Sequence, residues 1–168
     1  MISSNAALDA LKLLGDEIDA IQGMAVHSDI YYELLKQDVI EFLPASEQLP
    51  ELPTYKGKAV IVDDRMPKVA GGTSGFVYDT YLFGNNAIAY GEGTLDPDEA
   101  VKTDEDILAG TELLANRRQY IMHPTGVAWQ NDTVSGDSPT NAELETAANW
   151  ARVYERKNVR LLSLKTNG

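Results

Sequence analysis

Residues 112–127 read ELLANRRQYIMHPTGV, and this stretch is the most informative part of the chain for its fold. Arg117 to His123 is predicted to be a β-strand, and a second short strand is predicted near Val127 to Trp129. Upstream, Thr94 to Glu112 is polar and acidic, which predicts a long excursion with little core of its own. Downstream, Asn131 to Ser138 contains Gly, Ser and Asp, which is typical of a linker. The stretch therefore predicts strands between polar connections.

The opening segment predicts an amphipathic helix that Gly23 ends. Its apolar residues recur at three- and four-residue spacing, which places them on one helix face. These residues are Leu8, Leu11, Leu14, Ile18 and Ile21. Ser3, Ser4 or Asn5 is expected to cap the helix, because each side chain can accept a hydrogen bond from a free backbone N–H.

A short buried strand is predicted next, at Met24 to His27. A second helix is expected to follow, capped by Ser28 or Asp29 and ending near Gln37. Its buried residues are expected to be Ile30, Leu34 and Tyr31.

The middle of the chain predicts strands separated by loops. Ala59 to Asp63 is β-branched and apolar, as is typical of a central strand, and it follows a turn at Lys56–Lys58. Strands at Phe76–Phe83 and Ala87–Tyr90 flank Gly84–Asn86, which favours a tight turn because Gly and Asn tolerate positive φ. Loops are predicted for residues 43–55 and 65–75, which contain Pro44, Pro50, Pro53 and Pro67.

The C-terminal part predicts a capped helix and a closing strand. Thr140 and Glu143 have the spacing of a capping box, which starts a helix predicted to end near Tyr154. The helix is expected to bury Leu144, Ala147, Ala148, Ala151 and Tyr154. Val159 to Leu164 predicts the strand. Along the whole chain the elements predict an α+β fold, a mixed central β-sheet flanked by helices, in a single domain over residues 1–168.

Composition excludes several classes of protein. The chain has 168 residues and no cysteine, which excludes a disulfide framework, a thiolate metal site and a cysteine nucleophile. Its apolar runs are far shorter than the ~20 residues that a membrane helix needs, so no membrane partner is expected. The net charge is −12. Duplex binding depends on basic side chains that neutralise phosphates, so no specific nucleic-acid binding is expected either.

Four residues are the best candidates for chemistry. Asp63 and Asp64 are of the type that binds hard cations, and His27 or His123 could add metal binding or acid–base catalysis. Such a set would make a metal-dependent hydrolase, which is the alternative function. Adjacent strand residues point to opposite faces, however, so the two aspartates are poorly placed to share one ion. We therefore predict no catalytic, cofactor-binding or metal-binding residue, no cofactor and no enzymatic activity.

Other motifs predict no site. An acidic cluster lacks the spacing of an EF-hand; its members are Asp96, Asp98, Glu99, Asp104, Glu105 and Asp106. Gly71–Gly75 and Gly91–Gly93 lack the ending of a phosphate-binding loop. Arg117 and Arg118 could pair with acidic loops of a neighbouring subunit, or face solvent. Trp129 and Trp150 are expected to pack in the core, with Trp150 anchoring the last helix to the sheet.

An ordered set of segments resembles the C-terminal part of tailed-bacteriophage major capsid proteins, which have the Hong-Kong-97-type fold. The segments are residues 23–28, 32–36, 53–64, 66–67, 81–93, 103–110, 112–127, 141–144 and 149–154. Together they span nearly all of residues 8–164, and the set is more specific than any one segment.

The resemblance implies a structural virion protein of a phage or prophage, which forms an icosahedral shell. The chain is similar to the axial domain plus part of the returning peripheral segment of such a subunit. The N-terminal arm and the extended loop of the family have no counterpart here, so we expect a piece of a longer parent. The implied partners are copies of itself in capsomers, and the implied location is the virion capsid, with the host cytoplasm before assembly.

By itself the piece is expected to be a monomer or a weak oligomer. Loops 43–55 and 66–75 are the expected contact surfaces between subunits. A protein nanocompartment shell of the same fold stays open as a further alternative.

Overall fold

The computed structural model of the chain describes residues 5–44, 51–72, 75–96, 100–106, 108–130, 134–136 and 138–167. The chain divides into two compact units, one of residues 1–87 with 125–168 and one of residues 88–124. The predicted class is confirmed, since the fold is α+β with a mixed seven-stranded sheet and a few short helices. No helix in these described ranges is long and apolar enough to cross a membrane.

The described residues form the following elements. The helices are α1 (Ala6–Leu11), α2 (Ser28–Lys36) and α3 (Asn141–Glu145). The strands are β1 (Ile21–Val26), β2 (Ile40–Leu43), β3 (Leu52–Tyr55), β4 (Lys58–Val62), β5 (Lys68–Ala70), β6 (Phe76–Gly84), β7 (Ile88–Gly93), β8 (Val101–Asp106), β9 (Thr111–Asn116), β10 (Gln119–Pro124), β11 (Val127–Trp129), β12 (Trp150–Arg152) and β13 (Leu161–Asn167). Single turns of 3₁₀ helix lie at Lys12–Leu14, Ile18–Ala20, Ala147–Asn149 and Arg156–Asn158.

The first unit is built on the seven-stranded sheet, whose order is β13-β6-β1-β4-β3-β2, with β5 also paired to β6. The pair β1–β4 is parallel, and the other pairs of this sheet are antiparallel. A parallel pair needs a crossover connection. Here that connection runs from β1 through α2 and the hairpin strands β2 and β3 to β4.

The core lies on one face of this sheet, under α1 and α2. Val60, Met24 and Leu82 occupy registered positions on three adjacent strands and are almost completely buried. Ile30 and Leu34 of α2 are also inaccessible, and they belong to the same cluster. Full burial of a side chain of this size contributes roughly 1.5–3 kcal/mol. This layer therefore holds the first unit together.

The second unit consists of two-stranded ribbons with little burial. The strands β7 and β10 pair antiparallel, and so do β8 and β9. No described residue of this unit is fully buried. The prediction that the polar excursion has little core is confirmed, but the strands β8 and β9 were not predicted. β8 carries three consecutive acidic residues, and β9 shows no alternation of apolar and polar side chains.

The first predicted helix is too long. It ends at Leu11, a 3₁₀ turn follows, and Gly15 at φ +61° turns the chain. Ile21 and Gly23 lie in β1, so Gly23 is not a helix stop. Three of the five predicted face residues are buried, namely Leu11, Leu14 and Ile21. Asn5 occupies the N-cap position, but its side chain does not form the predicted capping hydrogen bond, and Ser3 and Ser4 lie outside the described residues.

The last predicted helix is also too long. The capping box of Thr140 and Glu143 is confirmed, but α3 ends at Glu145 and Trp150 begins β12. The side chains expected to be buried are exposed or only half-buried; they are Leu144, Ala147, Ala148, Ala151 and Tyr154. Pairing of β12 with β11 overrides the helical preference of this alanine-rich segment.

Two predicted loops contain strands. Residues 52–55 form β3, with Pro53 in the strand, and residues 68–70 form β5 at the side of β6. Residues 45–50, 73–74, 131–133 and 137 lie outside the described residues, so the predicted 131–138 linker is described only in part. The predicted turn at Lys56–Lys58 is confirmed, since Lys56 and Gly57 both have positive φ and join β3 to β4.

Candidate functional site

His27 lies between β1 and α2, and its ring caps the helix. Its Nδ1 accepts a hydrogen bond from the backbone N–H of Asp29 at 3.2 Å. The ring is buried and lies 4.9 Å, centroid to centroid, from the ring of Tyr78 on β6. The Tyr78 hydroxyl in turn donates to Asp29 Oδ2 at 2.6 Å, which raises the pKa of Tyr78. The predicted cap by Ser28 or Asp29 is therefore wrong by one or two residues.

The contacts among His27, Asp29 and Tyr78 hold the start of α2 against β6. Nδ1 of His27 accepts a hydrogen bond from the Asp29 backbone N–H, and the imidazole ring packs beside the ring of Tyr78, so this nitrogen serves as a structural acceptor. His27 therefore has a structural role at the start of α2.

Asp63 and Asp64 turn to different partners directly after β4. Asp63 forms a two-oxygen pair with the Arg65 guanidinium, at 2.7 Å from Nη2 to Oδ2 and 3.0 Å from Nε to Oδ1. These hydrogen bonds lower the pKa of Asp63 to about 2. Asp64 instead accepts from the Ser28 backbone N–H at 3.4 Å, and its Oδ1 lies 4.0 Å from His27 Nδ1. Hydrogen bonding by Ser28 lowers the pKa of Asp64.

The residues of the hydrolase alternative are thus brought together only in part. His27 and Asp64 are neighbours, but Asp63 is engaged by Arg65. His123 lies in β10 of the second unit, where its Nδ1 is 2.9 Å from the carbonyl of Pro124. No group of three or more His, Asp or Glu side chains suited to a metal occurs within the described ranges. We therefore attach no hydrolytic chemistry to these residues.

The acidic residues of the excursion lie on a hairpin. Asp104 to Asp106 are exposed on β8, and Asp106 Oδ1 accepts from the backbone N–H groups of Leu108 and Ala109, at 3.0 and 3.2 Å. Glu105 lies directly opposite Glu112 of β9. Asp98 and Glu99 of the predicted acidic cluster lie outside the described residues. The described members of the cluster at Asp104 to Asp106 therefore lie at the solvent-exposed end of a regular hairpin.

The glycine-rich segments and the arginine pair of the sequence also form no binding site among the described residues. Gly91–Gly93 is paired within β7, which is incompatible with a phosphate-binding loop. In the segment 71–75, Gly71 N–H donates to the Gly75 carbonyl at 2.9 Å, while residues 73–74 lie outside the described residues. Arg117 and Arg118 precede β10 and are exposed, so their predicted place on the strand is wrong.

The two tryptophans contact each other across a ribbon. Trp129 of β11 is registered with Trp150 of β12, and their rings meet edge to face, 5.1 Å apart at 85°. Trp150 Nε1 donates to the Leu144 carbonyl at 2.9 Å. Both rings are half-buried, so the expected core packing is replaced by a local aromatic pair, and Trp150 anchors α3 from a strand.

The second unit presents apolar side chains that the sequence analysis did not single out. In the β7–β10 ribbon, Tyr90 is paired with Met122, and the next pairs on the same face include Ile88 and Tyr120. Tyr90 is 64% exposed and Met122 is 60% exposed. The signal was present as an every-second-residue spacing of large apolar side chains in both strands. Such a face is suited to contact another surface.

Two adjoining cavities lie in the first unit, with volumes of about 580 and 460 Å³. The residues that line the smaller cavity include Lys12, Leu13, Arg152, Glu155, Arg156 and Lys157. The larger shares Lys157 and Glu155 with it and adds Arg160 and Glu17. These cations gather from distant parts of an acidic chain, which the linear sequence does not reveal.

Comparison with known proteins identifies the class. A family model described as Gp13-like, Major capsid protein 13-like, matches residues 2–159. The chain therefore belongs to this family of major capsid proteins, and the prediction of a phage major capsid protein is confirmed. Among curated proteins, the chain is similar to the major capsid protein of Bacillus phage SPP1, with 37% identity over 165 residues. The alignment covers 97% of this chain and 50% of that protein, so the chain spans about half the length of its relative.

Proposed function

We propose that this chain is a structural part of a phage shell, in which copies of its subunit lie side by side in the virion capsid. The observation that carries the proposal is the family match over residues 2–159, together with 37% identity to a phage major capsid protein. The exposed apolar face of the β7–β10 ribbon supports it, because a shell subunit must bury surface against its neighbours.

The finer proposal is that the chain has the Hong-Kong-97-type fold and corresponds to an axial domain with part of the returning peripheral segment, as one domain of a longer subunit. Two features support it. A mixed sheet carries helices in the first unit, and residues 88–124 form a separate strand-rich unit. The ordered resemblance of segments between residues 8 and 164 agrees with this assignment.

The net charge of −12 supports a capsid shell that does not bind nucleic acid specifically. Acidic side chains repel phosphates, so packaged DNA would not adhere to such a surface. No cofactor or catalytic residue is needed for this role.

The shell role is tested on particles purified by density gradient from cells that carry the gene. Peptides of this sequence, quantified by mass spectrometry, are expected in the most abundant polypeptide of the particles, and an unrelated cytosolic protein serves as the contamination control. Recovery of the sequence only in the soluble fraction would overturn the proposal. An image reconstruction of the same particles tests the fold, since the seven-stranded sheet should then repeat around the five- and six-fold axes.

A further inference from the structure

The hairpin end of β8–β9 carries unbalanced negative charge. Asp104, Glu105, Asp106 and Glu112 are exposed there, and Glu105 faces Glu112 directly across the strand pair. Like charges in that position destabilise a sheet, and a cation placed between them would relieve the repulsion. At the turn, Leu108 is 100% exposed. We call these five residues the acidic hairpin end.

The two adjoining cavities of the first unit form the opposite kind of surface. Lys12, Arg152, Arg156, Lys157 and Arg160 line them, against Glu17 and Glu155. All five cations are exposed. Leu13, 45% exposed, lies among them. We call this surface the basic groove.

The cations of the basic groove are only weakly engaged within the described residues. Lys157 Nζ lies 3.5 Å from Asp16 Oδ1, and Arg160 donates to the Asn85 carbonyl at 3.4 Å. Lys12, Arg152 and Arg156 form no ion pair with any other residue that the structure describes. The chain as a whole is acidic, with 26 acidic and 14 basic residues, but the basic groove carries more cations than anions. The groove therefore attracts an acidic partner.

We propose that the acidic hairpin end of one copy binds the basic groove of a second copy of this chain. The inference rests on the proposed shell function, which requires neighbouring copies. The negative charge of the acidic hairpin end complements the positive charge of the basic groove, so we infer that this hairpin occupies the groove. Each surface also exposes one leucine, so that Leu108 of one copy can cover Leu13 of the other. Six registered pairs give the hairpin a length of roughly 20 Å, enough to reach across a groove of this size.

The contact joins two different surfaces, so it is head-to-tail. Such a contact closes into a ring when the rotation between copies allows it, as the capsomers of a shell require. Many such contacts, each weak, stabilise an assembly that is still reversible while it forms.

Zero-length carbodiimide cross-linking tests the contact on an equal mixture of unlabelled and ¹⁵N-labelled chains. We expect cross-links from Glu105 or Glu112 to Lys12 or Lys157, with half of them joining labelled to unlabelled chains. Cross-links confined to one isotope would mean a contact within a single chain and would overturn the proposal. Absence of these cross-links at high protein concentration would also overturn it.

Charge reversal provides the second measurement. Glu105→Lys and Arg156→Glu are each expected to weaken association, measured by sedimentation, by more than about tenfold, because each creates a like-charge contact. An equal mixture of the two variants is expected to regain association, since contacts between the two different variants join either the two unaltered surfaces or the two changed ones, and both combinations are complementary in charge. Glu145→Lys, an exposed change of the same charge on α3, is the matched control and should associate normally.

If the mixture fails to regain association, the two surfaces do not meet. If Arg156→Glu instead abolishes binding of a labelled DNA duplex while Glu105→Lys has no effect on self-association, the groove takes nucleic acid and the proposal is wrong. Normal particle formation by both variants would remove this contact but leave the shell role intact. Absence of the unaltered chain from particles would remove the shell role itself.

Discussion

At the scale of single residues, Gly84 fixes how closely the end of β6 approaches the segment before β1. A Cβ atom at this position would lie 1.9 Å from the carbonyl oxygen of Ala20. The Gly84 N–H also donates to the Arg160 carbonyl at 3.0 Å, so the backbone is held on both sides. Gly84 begins the predicted turn, since the Ala87 N–H donates to its carbonyl. The close backbone approach, however, depends on a residue sixty-four positions upstream, which a local sequence pattern cannot reveal.

We expect Gly84→Ala to destabilise the first unit by about 1–3 kcal/mol or more, because backbone must shift to admit the methyl group. The midpoint of urea unfolding, followed by far-UV circular dichroism, measures the change. Gly72→Ala is the matched control, since no heavy atom lies within 4 Å of its Cβ position and its φ is not positive. Equal midpoints for the two variants would contradict the steric argument.

His27 shows another limit of residue-level prediction. Ser28 and Asp29 are strong N-cap residues by their chemistry, so the sequence favoured them. The structure places the cap one residue earlier, because the His27 ring is fixed by Tyr78 from β6. The tertiary contact decides between neighbouring candidates that a one-dimensional pattern cannot separate.

At the scale of elements, strands with β-branched or alternating apolar residues were predicted within a few positions. Examples are β4, β6 and β10. The first and last helices were predicted too long, because apolar spacing of three and four fits successive separate turns as well as one continuous helix, whereas α2 was predicted with nearly its observed bounds. The strands β8 and β9 were missed because neither shows the alternation of apolar and polar side chains by which a half-buried strand is predicted from sequence.

The capping box of α3 is a local device that can be tested. Thr140 Oγ1 accepts from the Glu143 N–H, and the Glu143 carboxylate accepts from the Thr140 N–H at 2.8 Å and from Ser135. Thr140→Ala is expected to destabilise this helix by about 1 kcal/mol, because it removes the cap oxygen. Amide exchange of residues 141–145 should then quicken by roughly fivefold or more. Thr140→Ser retains the oxygen and should exchange like the original chain; an equal effect of both changes would contradict the role of the cap.

At the scale of the whole molecule, stability is concentrated in the first unit. Its buried cluster joins α1, α2 and the central strands β1, β4 and β6, whereas no described residue of the second unit is fully buried. Fold class and family resemblance could be predicted from the sequence, because they depend on ordered segments along the whole chain. The division into two units could not, since it depends on which strands pair.

This division predicts uneven hydrogen exchange in the unassembled chain. Amides of β1 and β6 are expected to exchange more than about a hundredfold more slowly than those of β8 and β9, because opening a ribbon exposes little new surface. Mass spectrometry of exchanged peptides measures the ratio, with fully denatured chain as the reference for intrinsic rates. Similar protection in both groups would show that the ribbons are covered in the free chain.

The pairing of β13 with β6 has a consequence for synthesis. Seven residues of β13 pair along β6, from Leu161 opposite Phe83 to Asn167 opposite Val77. The ribosome makes β6 long before β13, so one side of β6 emerges with unpaired N–H and C=O groups. Nascent chains on the same messenger RNA therefore expose an unpaired edge of β6 to one another until translation has passed residue 167. Rapid translation of residues 85–160, or a chaperone that shields β6, would favour correct folding over aggregation of the nascent chains.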